Sequence, residues 1–238
     1  MSILQRFHMH GSVAIVTGSG RGIGRAIALA YAEAGADVVC SARSMDEVEA
    51  VAEEVRGLGR RALAITCDVN DAGQRQALVR QSVEQMGRLT HLVNNVGGGG
   101  PNDPLTMTPE QFTETLTFNV ATSYAFCQLC VPLMREAGGG NIINISSVAA
   151  RYAQRHFSAY GTAKAALSHL TRLLAQDFAP QIRVNAVAPG PTLTEALNGV
   201  MPAAMREVME ANTPLKCLGT PQDIAAAALY LALSLIHI

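Results

Sequence analysis

The hydrophobic pattern of the chain alternates between two periods. Short β-branched runs read as buried strands: VAIVT at 13–17, DVVCSA at 37–42, ALAITC at 62–67, HLVNNV at 91–96, NIINIS at 141–146 and IRVNAVA at 182–188. Between them lie longer amphipathic stretches, RAIALAYAEAGA, DEVEAVAEEVRGLG and QRQALVRQSVEQMG, followed by a helix across Pro109 to Arg135 and another from about Ser158 to Phe178. Strand and helix in strict succession are the grammar of an α/β protein, with a doubly wound parallel sheet in three layers, α/β/α. Seven strands are expected between Val13 and Ala188. The connections are short and glycine-marked, with no linker or repeat, so residues 1–238 are expected to form a single domain.

Composition changes this picture little. With 238 residues, 49% of them hydrophobic, the chain can bury one large core, and a formal net charge of −1 advertises no nucleic acid or acidic membrane as partner. The N-terminal MSILQRFHMHGS lacks a sustained apolar region and no window approaches a membrane span, so a cytoplasmic protein is expected. Five cysteines, an odd and scattered set, fit a reducing compartment. Cys127 and Cys130 form C-x-x-C inside the apolar run YAFCQLCVPLM and are expected to be packing residues, not a redox or metal pair. No metal site is expected.

The chemistry begins after the first strand, where TGSGRGIG at 17–24 opens the next helix. Glycines at Gly18, Gly22 and Gly24 let the backbone turn and approach a ligand, and the helix start offers free N–H groups to a pyrophosphate. This position between strand and helix is the one a Rossmann dinucleotide site demands. At the end of the second strand an acid would accept a ribose 2′-OH, but the chain reads Ser41, Ala42, Arg43, Ser44. Arg43 suits a 2′-phosphate and Arg21 adds a second cation, so NADP is expected over NAD. Asp68 and Val69 close the third strand, and Asn94, Asn95, Val96 and Gly97 the fourth, where strand ends line the crevice beside adenine and its ribose.

Tyr160 stands one helical turn ahead of Lys164 in AYGTAKAALSHL, and Ser147, thirteen residues before the tyrosine, ends the fifth strand. A free phenol has a pKa near ~10, and proton exchange near neutrality calls for a drop of about 4 kcal/mol. A lysine ammonium at about 4 Å supplies about that much at an effective dielectric near ~20. Tyr160 is therefore expected to exchange a proton with a carbonyl or alcohol oxygen that Ser147 holds. Lys164 is expected to lower the phenol and bind the nicotinamide ribose.

Taken together, Thr17-Gly18-x-x-x-Gly22-Ile23-Gly24, Asn94-Asn95-x-Gly97, Ser147, Tyr160-x-x-x-Lys164 and Pro189-Gly190 resemble the short-chain dehydrogenase/reductase family, in order and spacing over nearly the whole chain. The resemblance implies further roles. Asn119 would kink its helix and hold a water that connects the lysine to solvent. Thr192 and Thr194 would touch the nicotinamide carboxamide, and Asp68 and Val69 would lie beside adenine. It also implies a homodimer or homotetramer built from the helices carrying Asn119 and Tyr160. Val96 stands where the family usually has alanine. The family continues past PQDIAAAALYLA into a last strand, whereas this chain runs into LSLIHI, so a sheet lacking that strand, an uncovered edge near IRVNAVA and a weakened assembly are expected.

The run GGGGP at 97–101 leaves room for a large flat apolar substrate, and residues 190–218 are expected to form a substrate flap. These stretches resemble the 7α-hydroxysteroid dehydrogenase branch most, with β-ketoacyl thioester (acyl carrier protein) reductases next. The latter would use Arg151 and Arg155 for a carrier. His156 is expected at the rim. Two rival readings are a non-catalytic NADP-binding protein and a clipped inactive fragment.

Overall fold

In the computed structural model residues 6–199 and 202–233 are described. Six parallel strands form one sheet in the order β3-β2-β1-β4-β5-β6: β1 Val13–Thr17, β2 Asp37–Ala42, β3 Ala62–Thr66, β4 His91–Asn94, β5 Gly140–Ile145 and β6 Ile182–Val187. Among the described residues there are six strands against the seven expected: the pattern itself marks only six runs between Val13 and Ala188, and everything else there is helix or loop. The six are the segments the pattern marked, some shortened by one or two residues. Asn95, for example, leaves β4 to bond the loop after β1.

Parallel pairing requires a crossover after each strand, and the crossover helices bury both faces of the sheet. Helices α1 Gly22–Glu33, α2 Met45–Gly57 and α9 Pro221–Ala232 cover one face, packing Ile27, Tyr31, Val51, Val55 and Ala228 on Ala14, Val16 and Val38. On the other face α3 Ala72–Met86, α5 Thr122–Glu136 and α6 Ser158–Phe178 pack Leu78, Phe126, Met134 and Leu174 on Val13, Ile15 and Val39. Successive residues of β1 thus face opposite cores, which is why Val13 to Val16 are all apolar and the polar residue of the strand, Thr17, comes only at its end. The remaining helices are α4 Pro109–Leu116, α7 Glu195–Asn198 and α8 Ala203–Asn212.

Cys127 and Cys130 are fully buried free thiols, held well above the ordinary thiol range by burial, as packing residues should be. One expectation is corrected. A π-helical turn at Thr117–Ala121 joins α4 to α5, making one 28-residue helix whose most apolar 18-residue window has a mean hydropathy of 1.2. It is long and apolar enough to cross a membrane by length and composition, although Thr115, Thr117, Asn119 and Thr122 interrupt the apolar run in the sequence. Here Phe126, Cys127, Cys130 and Met134 bury its face against the sheet. Strand β6 is one of the two edges of the sheet among the described residues, with β3 the other, and the expectation of a missing last strand falls in part on residues 234–238, which lie outside them.

Strand order reverses between β1 and β4, so the loops after these two strands diverge and open a crevice at the C-terminal ends. Every candidate site residue lies on a loop or helix that rises from this end of the sheet.

Candidate active site

The loop after β1 is shaped by its neighbours. Gly18 has φ +65°, a conformation that favours glycine, and a Cβ there would stand 2.9 Å from Nδ2 of Asn95. Asn95 donates from that amide to the carbonyls of Thr17 (2.9 Å) and Gly18 (3.1 Å). Its N–H donors are therefore committed to clamping the loop, although the residue also borders the cleft. Ser19 is fully buried and accepts from the Ser41 N–H at 2.8 Å, fastening the loop to the end of β2. Gly22, Ile23 and Gly24 form the first turn of α1, which has no side-chain cap and no acidic residue, so its N–H groups are left for an anion.

These elements bound a cleft of about 390 Å³, lined by Gly18, Arg21, Arg43, Asp68, Val69, Asn95 and Gly97 among others. Both arginines expected to meet a phosphate stand at it. Arg21, however, lies 3.9 Å from a carboxylate oxygen of Glu47, a residue the sequence reading passed over. Cys67 and Phe118 also line the cleft, and apolar residues of this kind carry no signal that would separate them from core.

Further along the crevice, Ser147 caps a short 3-10 turn, Val148–Ala150, accepting from the Ala149 N–H at 3.2 Å, and its side chain stands beside Tyr160. Lys164 is buried, donates to the Ile145 carbonyl at 2.9 Å and lies 5.8 Å from the centroid of the Tyr160 ring. Burial lowers its pKa to about 8. Here the expectation needs correcting, because burial raises the Tyr160 phenol above its ordinary value and only the neighbouring Ser147 side chain opposes this. The ammonium is turned to a backbone carbonyl and sits over the ring, not at the hydroxyl, so it does not lower the phenol in this arrangement.

Asn119 occupies the π turn with no exposure at all. Its Nδ2 donates to Thr115 O (2.9 Å), the carbonyl an α-helix would pair with the Asn119 N–H, and to Gly98 O (2.8 Å). Its Oδ1 accepts from Gly98 N at 2.9 Å. A Cβ on Gly97 would lie 2.7 Å from both Asn119 Oδ1 and Lys164 Nζ, so glycine at this point lets the loop, the π turn and the lysine meet. A buried polar chain, Asn94 to Asn144 to Thr171 together with Ser146 to Ser168, fixes α6 over β5 and sets where Tyr160 and Lys164 stand.

A family model described as enoyl-(acyl carrier protein) reductase matches residues 18–236. The chain is 41% identical over 224 residues to a 7alpha-hydroxysteroid dehydrogenase of Escherichia coli (strain K12), covering 94% of this chain and 88% of that protein. It belongs to the short-chain dehydrogenase/reductase family. An uncharacterized oxidoreductase of Mycobacterium tuberculosis (strain CDC 1551 / Oshkosh) is 50% identical over 97% of this chain and 88% of its own length. The solved structure of 7 alpha-hydroxysteroid dehydrogenase complexed with NADH and 7-oxo glycochenodeoxycholic acid superposes with a TM-score of 0.93 at 40% identity, covering 98% of this chain and 91% of that one.

The remaining family positions sit less directly. Pro189 is buried and accepts from the Val148 N–H (3.0 Å), tying the loop after β6 to the turn carrying Ser147. Thr192 is 7% exposed and its hydroxyl donates to the Gly190 carbonyl. Thr194 caps α7 and its methyl group lies beside Gly22. Thr194 therefore packs against the glycine loop, while Thr192 bonds within its own loop and bridges to Gly219. His156 is exposed with φ +66°, and its carbonyl accepts from Asn102 N (2.7 Å).

Proposed function

We propose that this oxidoreductase uses NADP(H) to interconvert a secondary alcohol and a ketone on an apolar, steroid-like substrate. The observation that carries the reading is that Asn119 and Lys164 close on Gly97, which itself lines the cleft, while Tyr160 rests on Gly99 two residues further on with Ser147 beside it. The fit to a dinucleotide rests on the uncapped start of α1, the close-packed glycine loop and two arginines at the mouth.

The nicotinamide would supply or accept a hydride at the reacting carbon. Ser147 would hold the substrate oxygen by a hydrogen bond, and Tyr160, kept protonated by its raised pKa, would donate a proton to that oxygen as a carbonyl is reduced. In the reverse direction the same phenolate would take the proton from the alcohol. Lys164, held by the Ile145 carbonyl beside the ring, would bind the nicotinamide ribose, while Asn119 would hold the Gly98 backbone beside them.

An apolar substrate is supported by exposed Leu105, Met205, Val208 and Leu215, carried on the loop after β4 and the segments after β6. The steroid-like class is supported by the two 7alpha-hydroxysteroid dehydrogenase matches. A thioester substrate is the second reading, favoured by the description of the family model and by exposed Arg151 and Arg155. NADP is supported by Arg43 at the cleft, though the relative's structure contains NADH.

The test follows nicotinamide absorbance with bile acids beside acetoacetyl thioesters. Tyr160→Phe is expected to abolish turnover and leave NADP binding within about twofold, as loss of a single proton donor should. Retention of most of the rate sinks the assignment. Arg43→Ala is expected to weaken NADP about tenfold or more and NAD little.

A further inference from the structure

The mouth of the cleft holds a carboxylate that the NADP reading does not use. Glu47 is the third residue of α2, and a Ser-x-x-Glu start would ordinarily send the glutamate back to the capping residue's N–H. Ser44 does cap the helix, accepting from the Glu47 N–H at 3.4 Å, but the glutamate side chain turns the other way. It lies across Gly20, where a Cβ would stand 2.8 Å from both Cβ and Oε2 of Glu47, and it reaches within 3.9 Å of Arg21 Nη1. Both partners of this pair are open to water, with side-chain exposures of 61% and 42%, so the pair is easily parted. Arg21, Arg43, Ser44 and Glu47 all line the same cleft.

We propose that Glu47 is a specificity-determining residue that sets how strongly this cleft favours a dinucleotide bearing a ribose phosphate over one without it. The proposal rests on the reading of the cleft as a nicotinamide dinucleotide site. The carboxylate acts against the phosphate twice. It adds negative charge to the mouth, and it engages one of the two arginines that would otherwise meet the phosphate. An uncharged ribose hydroxyl feels neither effect.

Glu47→Gln keeps the packing over Gly20 and removes the charge. Titration of reduced-cofactor fluorescence, with no turnover needed, should show the affinity ratio of NADPH to NADH rising about fivefold, the size of one screened charge repulsion across a wet cleft. The gain should shrink as salt is raised. Glu47→Ala, which also removes the packing, should move the ratio in the same direction. A ratio that is unchanged or falls in Glu47→Gln overturns the proposal. The unmutated protein's own ratio separates the two ideas: a preference for NADH defeats the NADP reading, yet the change on mutation still decides the role of Glu47. If the unmutated protein binds neither nucleotide, both fail.

Discussion

Gly99 packs flat against the ring of Tyr160: a Cβ on the glycine would stand 2.9 Å from Cδ2 and 3.0 Å from Cβ of the tyrosine. The glycine run after β4 therefore does more than leave space for substrate, because part of it is the wall on which the reacting phenol rests. Phe157 also meets the ring, edge-on at 6.2 Å between centroids. A side chain at position 99 must push the phenol away from Ser147. Gly99→Val is expected to lower kcat/KM about a hundredfold, the effect of a displacement near 1 Å, while the dissociation constant of the nucleotide changes little. An unchanged rate would show that the phenol tolerates the shift or is not the proton donor.

Asn119 makes three hydrogen bonds to main chain, two to Gly98 and one to Thr115, from a position closed to water. Truncation leaves those groups unpaired in the interior, and unpaired buried groups cost more than the mean bond contributes. Asn119→Ala should lose about 2–4 kcal/mol of stability in a denaturant titration. A loss below about 1 kcal/mol would mean that water replaces the amide fully.

How much of this was readable from the chain varies with the physics. The strands were legible because β-branched runs flanked by glycine have few other uses, and the order of Ser147, Tyr160 and Lys164 followed from them. The clamp by Asn95 was not, since nothing in Asn-Asn-Val-Gly tells whether an amide faces ligand or loop. Ser19 and Ser146 were missed because a serine beside a strand end is ordinary, and only their distances to Ser41 and Ser168 distinguish them. Glu47 was hidden by its own pattern, for an acid in the first turn of a helix has a sufficient local explanation. The direction of the Tyr160 shift failed for another reason: sequence spacing puts Lys164 on the same helix face but does not say where its ammonium points.

Lys164 also leaves a signature in stability. Its folded pKa is about 8 against the ordinary 10.5. Because burial disfavours the charged form, the unfolded chain binds more protons between these values, and stability from this group rises with pH across the window. The cost is fully present below about pH 8 and is relieved as pH climbs toward 10.5. The buried thiols and Tyr31 titrate in the opposite sense at high pH, so the comparison must be with Lys164→Met. From pH 8 to about pH 10 the unmutated protein should gain about 2 kcal/mol relative to the variant. A flat difference would show that the ammonium is not desolvated.

Finally, the groove between the α4–α5 helix and α6 is apolar and open, lined by Leu116, Val120, Tyr124, Ala166 and Leu170. It runs along the outer faces of the helices that carry Asn119 and Tyr160. A small domain gains little by leaving such a surface wet, and a second copy presenting the same face would bury it symmetrically. This is the support for a homo-oligomer, and it leads to a definite expectation for Tyr124, which is 42% exposed. Tyr124→Glu places a charge in the groove without touching either core, so it should convert the assembly to monomers in light scattering while helical content is retained. Because Asn119 and Lys164 sit on the inner faces of the same helices, loss of the partner should also lower kcat more than it weakens the nucleotide. An unmutated protein that is already monomeric at micromolar concentration, or a variant that assembles normally, would remove this face as the interface.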